Sequence, residues 1–161
     1  MQRYIMKLSD KNVEYLIGNS NFVSTASTPY NDLVCDFISF FSKELLKEKK
    51  SNEFSDLKTL AFWCRKHNVI NLKKKFISEK LRMGIGLVFH ITPSNIPTNF
   101  AYSLLFGLLT GNSNIIKVPS KKFEQVAIIC SVINRILKKK AFLKLKKKII
   151  IVRYKDNDEF T

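Results

Sequence analysis

Covalent catalysis on a carbonyl needs an activated nucleophile, a proton carrier and a donor for the developing oxyanion, and this chain offers few side chains of each kind. The three cysteines, Cys35, Cys64 and Cys130, are widely spaced and odd in number, with no CxxC pair. That excludes a disulfide framework and a cysteine-based zinc site, leaves no metal expected, and points to a reducing compartment. Each falls on a helical stretch rather than in an exposed, electropositive loop that would activate a thiol, so all three are expected to pack. Of the two histidines, His67 lies in a helical stretch and takes no role, and His90 is expected to be packed or hydrogen-bonded near a strand end. Asn95 stands in the run TPSNIP, residues 92–97, where its spacing between two prolines reads as a turn. Lys117 is a lone lysine closing an apolar run, and Ser120 follows Pro119 where a helix cap would sit. The glycine loops that cradle phosphates are missing: Gly84 and Gly86 precede an apolar run instead of following it, and GNSNIIK lacks the GxxxxGK[ST] spacing.

The elements that must hold these residues follow from periodicity. In residues 30–47, Leu33, Val34, Phe37, Ile38, Phe41 and Leu45 recur at helical spacing. Ser55 and Asp56 can cap a second helix running to about residue 66, and a third stretch covers about residues 70–81. Residues 1–28 mix polar and apolar side chains, with turn chemistry over 24–29. The character changes at Gly84. Residues 84–91 (GIGLVFHI) read as a strand covered on both faces. Residues 97–110 read as a buried helix begun by Pro97 and ended by Gly111. Residues 114–118 form a second buried strand, 120–139 a helix capped by Ser120, and 148–153 (KIIIVR) a third strand. Strand, helix, strand, helix, strand with short links implies parallel strands joined by crossovers. The expected fold is therefore α/β: a helical segment, residues 1–82, followed by the first part of a parallel doubly wound sheet, residues 83–161. Such a sheet takes ligands beyond the carboxyl ends of its strands, where residues 92–97 and 117–122 fall.

With 161 residues, 45% hydrophobic and 25% charged, the chain is long enough for a globular core, and thirteen Phe supply bulk for it. No leader peptide is apparent, and the longest mainly apolar stretch, residues 100–109, is far short of the ~20 residues of a membrane span. A soluble cytoplasmic protein is expected. The formal charge of +15 sits mostly in lysine runs, and only five arginines are present. Without a helix-turn-helix, zinc-finger or RNA-recognition signature, these runs read as solvated surface, and nucleic acid is not the expected partner. A small basic nucleic-acid-binding module, or a non-catalytic remnant on a partial α/β scaffold, is the rival reading; it requires tight, steeply salt-dependent binding.

Taken together, GLVFHITPSNIPTNFAYSLLFGLLTGNSNIIKVPSKK, residues 86–122, resembles the acyl-CoA reductases of the LuxC type, which include the fatty-acid reductase of bacterial bioluminescence and belong to the aldehyde dehydrogenase superfamily. The features that carry the resemblance are His90-x-x-x-x-Asn95-x-Pro97, the apolar helix, GNSNIIK ending at Lys117, and Pro119-Ser120. The resemblance implies that Asn95 donates to the oxyanion formed when a cysteine thiolate attacks a thioester. It implies that Lys117 holds the adenosine ribose of a nicotinamide cofactor. Ser120 falls where NAD-preferring members often carry Glu, which with Lys121 and Lys122 implies NADPH. Thr92, Pro93 and Ser94 are implied to line the cofactor site through their backbone. The implied substrate is an acyl-CoA or acyl-protein thioester and the product a fatty aldehyde, with homo-oligomers or acyl-transfer proteins as possible partners. The nucleophilic cysteine of such an enzyme is expected outside this chain, which would be the front portion of a larger reductase and inactive alone.

Overall fold

A computed structural model describes residues 13–19, 22–76 and 81–155. Its elements are β1 (Glu14–Ile17), α1 (Asp32–Lys47), α2 (Ser55–Trp63), α3 (Lys66–Phe76), β2 (Leu87–Ile91), α4 (Asn99–Leu109), β3 (Ser113–Lys117), α5 (Glu124–Leu137) and β4 (Ile149–Arg153). The strands form one sheet in the order β1-β4-β3-β2. β2, β3 and β4 run parallel, as the alternation of apolar runs and helical periodicity implies, and β1 joins β4 antiparallel. The fold is an open α/β sheet with a helical front, its α4 and α5 serving as the crossovers. Both crossovers pack on the same face, as they must when three successive strands step across a sheet in one direction.

That face presents Ile116, Ile149 and Ile151 to one core shared with α1, α4 and α5, in which Phe37, Phe41 and Phe100 are fully enclosed. α1 earns its place there through Val34, Phe37, Ile38, Phe41 and Leu45, and Asn31 caps it by accepting a hydrogen bond from the Val34 amide. The opposite face gathers a smaller cluster of Ile115, Ile150, Val152 and Tyr154.

Several element expectations are corrected. β1 was not legible in residues 1–28: four residues that include Glu14 show no length of alternation, and pairing with β4 is what makes them a strand. β2 is not covered on both faces. It is the sheet's edge, with Phe89 48% and Ile91 63% exposed. Ser55 does not cap α2, whose cap position is Phe54 with no side-chain bond; the Asp56 carboxylate instead accepts from the Leu57 amide. α3 begins at Lys66, earlier than expected, and is described to Phe76; the rest of the expected stretch, residues 77–80, lies outside the described residues. Pro97 and Thr98 precede α4 instead of opening it. Ser120 caps nothing, because α5 starts at Glu124 behind Phe123.

Candidate active site

The two ends of the parallel sheet are built differently. At the amino ends, residues 22–28 run crosswise beneath the strands. The Val23 amide donates to the Lys147 carbonyl below β4 (3.3 Å), the Thr25 amide to Ser113 Oγ at the start of β3 (3.1 Å), and the Gly84 amide ahead of β2 to the Ser27 carbonyl (3.1 Å). The GNSN run anchors this crossing. Gly111 takes φ +88 to end α4, and a Cβ there would collide with the Ser27 carbonyl. Its own carbonyl accepts from the Ser27 amide (2.9 Å), and Asn112 Oδ1 accepts from the Gly86 amide (3.2 Å). Asn114, fully buried, binds His90 Nε2 through Oδ1 (3.0 Å) and donates from Nδ2 to the Asn112 carbonyl (3.0 Å). His90 is thus the hydrogen-bonded strand-end histidine that its position suggested.

The carboxyl ends carry no such crossing among the described residues, and the loops there are tied to one another. Thr92, buried, donates to the Lys117 carbonyl twice, from its amide (3.2 Å) and from Oγ1 (2.8 Å), pinning the loop after β2 to the tip of β3. The loop after β3 is fastened to the tip of β4: the Val118 amide donates to the Val152 carbonyl (2.9 Å), Ser120 Oγ to the Tyr154 carbonyl (2.9 Å), and Arg153 Nε to the Pro119 carbonyl (3.3 Å). Lys117 is only 5% exposed and sets Nζ 5.1 Å from the Tyr154 ring centroid, a cation over an aromatic face. Ser120, Lys121 and Lys122 are exposed.

The structure therefore brings Thr92, Lys117 and Ser120 to one end of the sheet, as the spacing of the motifs required. Pro93, Ser94 and Asn95 follow Thr92 in the same loop and are exposed, and the Asn95 amide makes no hydrogen bond among the described residues. Its accessible donor is what an oxyanion would need. Two contributors escaped sequence reasoning. Tyr154 lies past the last strand in no motif, and the Asn114–His90 pair depends on strand register, which one sequence does not display. The Thr92 hydroxyl clamp carried a weak signal, a threonine directly at a strand end.

The thiols are elsewhere. Cys64 and Cys130 are buried in the main core and Cys35 is half-buried on α1. Burial raises all three thiol pKa values, that of Cys130 to about 12. They stay protonated near neutrality and serve as packing. Among the described residues no group of three or more His, Cys, Asp and Glu could hold a metal ion, and no helix is long and apolar enough to cross a membrane.

No curated protein and no solved structure matches the chain. The profile of the acyl-CoA reductase (LuxC) family matches residues 11–160, from ahead of β1 to past β4, and so takes in the helical front as well as both loops at the open end of the sheet. A match of that extent, carried by more than the GNSN and TPSNIP runs alone, makes this chain a member of the LuxC family of acyl-CoA reductases.

Proposed function

We propose that the chain is the front part of a cytoplasmic, NADPH-dependent acyl-thioester reductase that releases a fatty aldehyde through an acyl-cysteine intermediate. The observation that carries the reading is the Thr92 clamp on the Lys117 carbonyl, which holds the Asn95 loop against the strand tip expected to meet the cofactor. On this reading residues 83–161 supply part of the cofactor-binding domain and residues 1–82 the helical lead-in. A cysteine outside these 161 residues attacks the thioester carbonyl and expels the carrier thiolate. The exposed Asn95 amide donates to the oxygen on which negative charge collects.

The residues present suit a phosphate-bearing nucleotide. Lys121 and Lys122 follow Ser120 and are exposed, and the nearest carboxylate to them along the sequence, Glu124, is engaged by Lys50 Nζ at 2.7 Å. No side chain caps α5, so its first amides remain available to an anion. Lys117 would hold the adenosine ribose, Ser120 with Lys121 and Lys122 the 2′-phosphate, and Thr92, Pro93 and Ser94 would line the site. The cofactor, when bound, supplies the hydride that turns the acyl group into an aldehyde.

The test is Asn95→Ala in the complete enzyme. Acyl transfer to the enzyme is expected to slow by roughly 100- to 1,000-fold, the usual loss for one oxyanion donor, with cofactor affinity nearly unchanged. Wild-type acylation would reject the role of Asn95. The 161-residue chain by itself is expected to show no turnover, and aldehyde formation by it would place the nucleophile among Cys35, Cys64 and Cys130 after all.

A further inference from the structure

Seven of the eleven residues 138–148 (KKKAFLKLKKK) are lysine, and none is acidic or arginine. They link α5 to β4 through two short 3₁₀ turns, Lys140–Phe142 and Leu145–Lys148. Phe142 and Leu145 are buried in the main core, and the Phe142 ring lies 5.7 Å from those of both Phe37 and Phe40. With these two side chains pinned inward, Lys138, Lys139, Lys140, Lys144, Lys146 and Lys147 are all exposed. None of the six forms an ion pair among the described residues. Leu143 stands among them, 48% exposed. Beside Lys146 and Lys147 opens a cavity of about 430 Å³ whose walls include Leu16, Ile17, Phe22 and Ile150. All of this lies at the amino end of β4, the opposite end of the sheet from Asn95 and Lys117, so it is independent of the reductase reading.

We propose that this face docks on an anionic phospholipid surface, the lysines meeting headgroup phosphates while Leu143 and the cavity receive apolar chain. Charge complementarity selects an anion: of the six exposed ammonium groups Lys139 lies near Glu44, a carboxylate that Lys47 and Arg135 already engage, and together the six concentrate phosphate at one patch. The apolar component selects lipid over nucleic acid. Single-stranded nucleic acid is held by exposed aromatic platforms and by arginine, and the link offers neither, its one aromatic residue being buried. A cavity with four apolar side chains next to two lysines fits a phosphate carrying a hydrocarbon chain better than a sugar–phosphate backbone. Attachment of this kind is peripheral and needs no membrane-crossing helix.

The experiment is co-sedimentation of the full-length protein with phosphatidylcholine vesicles, with and without phosphatidylglycerol. Binding is expected only when phosphatidylglycerol is present, and is expected to weaken as salt rises. The triple variant Lys144→Glu/Lys146→Glu/Lys147→Glu should lose roughly a hundredfold or more in vesicle affinity. The Lys→Arg triple variant at the same positions should retain binding. Because all three positions are exposed, far-ultraviolet circular dichroism of both variants should match wild type, and so should any reductase activity of the complete enzyme. Two results overturn the proposal: sedimentation that does not depend on phosphatidylglycerol, or a labelled single-stranded RNA that binds more tightly than the vesicles and is lost with the same substitutions.

Discussion

Gly107 carries no side chain because the Asn114 amide occupies the space a Cβ would need, with Oδ1 as the nearest atom. That amide is itself committed. Asn114 Nδ2 donates to the Asn112 carbonyl, which turns Oδ1 toward His90 and makes His90 Nε2 the donor of their 3.0 Å bond. Gly107→Ala is therefore expected to cost about 1–3 kcal/mol, the usual range for forcing extra volume into a packed site. Asn114→Ala should also destabilise, because it removes the partner of His90. In the double variant the new methyl has room, so urea denaturation of all four proteins should show a loss smaller than the sum. Strict additivity would mean that something other than the close approach selects glycine. Ser120→Glu belongs to the same scale. It sacrifices the bond to the Tyr154 carbonyl, about 0.5–1.5 kcal/mol at most, and places a carboxylate where a 2′-phosphate is proposed to bind. The ratio of rates with NADPH and NADH in the complete enzyme should move toward NADH; an unchanged ratio would remove Ser120 from cofactor selection. The residues of TPSNIP and GNSNIIK could be singled out from the sequence because their types are unusual between apolar runs. Their partners could not, because Asn114 meets His90 and Ser113 meets Thr25 only once two strands and a crossing segment are in register.

Among the elements, those that bury a long periodic face were legible and those that depend on a neighbour were not. α1 and α5 each place an apolar residue every third or fourth position, and the parallel strands are apolar runs bounded by turns, so periodicity finds them. β1 and the crossing segment 22–28 have no such signature; their hydrogen bonds go to Arg153, Val152 and Ile151 or to loop groups far along the chain. Helix starts failed for a related reason. Ser55 and Ser120 are good caps by type, but the chain turned into each helix one residue before or several after them. The crossing segment also has a titrating anchor. Lys148, half-buried, donates from Nζ to Ser27 Oγ at 3.1 Å, and desolvation lowers its pKa below the usual lysine value. The unfolded chain then binds the proton more tightly than the folded one. The resulting cost is fully present near pH 7 and is relieved as pH rises through the lowered pKa. Lys148→Met should therefore raise the melting temperature modestly at pH 7, and its advantage over wild type should shrink as pH approaches 10. An advantage that grows with pH would reverse the assigned direction.

At the scale of the whole molecule the sheet is asymmetric in two senses. One face lies under α1, α4 and α5, whereas the other is covered by a small cluster around Ile115, Ile150 and Val152. Its two edges also differ: one is the short antiparallel β1, which carries Glu14, whereas the other is β2, an apolar parallel strand with no strand beyond it among the described residues. Residues 84–91 read as a strand enclosed on both sides because their composition is that of an interior strand of a parallel sheet. The composition is as expected, but the cover is not present: Ile85 is 84% exposed, Ile91 63% and Phe89 48%. An apolar edge with no charge, proline or bulge to deter pairing is a template for another copy of the chain. Net charge of +15 opposes such association at low salt, and that opposition weakens as salt screens it. Light scattering by the 161-residue chain should accordingly rise with salt. Ile91→Lys, which puts a charge on the exposed side of the edge, should suppress that rise while changing stability by no more than about 0.5 kcal/mol. Lysine at Val88, which is part-buried and alternates with the exposed Phe89 and Ile91 to the other side of the strand, serves as the contrast: the same charge there should lower stability more than at Ile91. If Ile91→Lys scatters as much as wild type at high salt, association runs through another surface, and the exposed strand is not what limits the solubility of the chain.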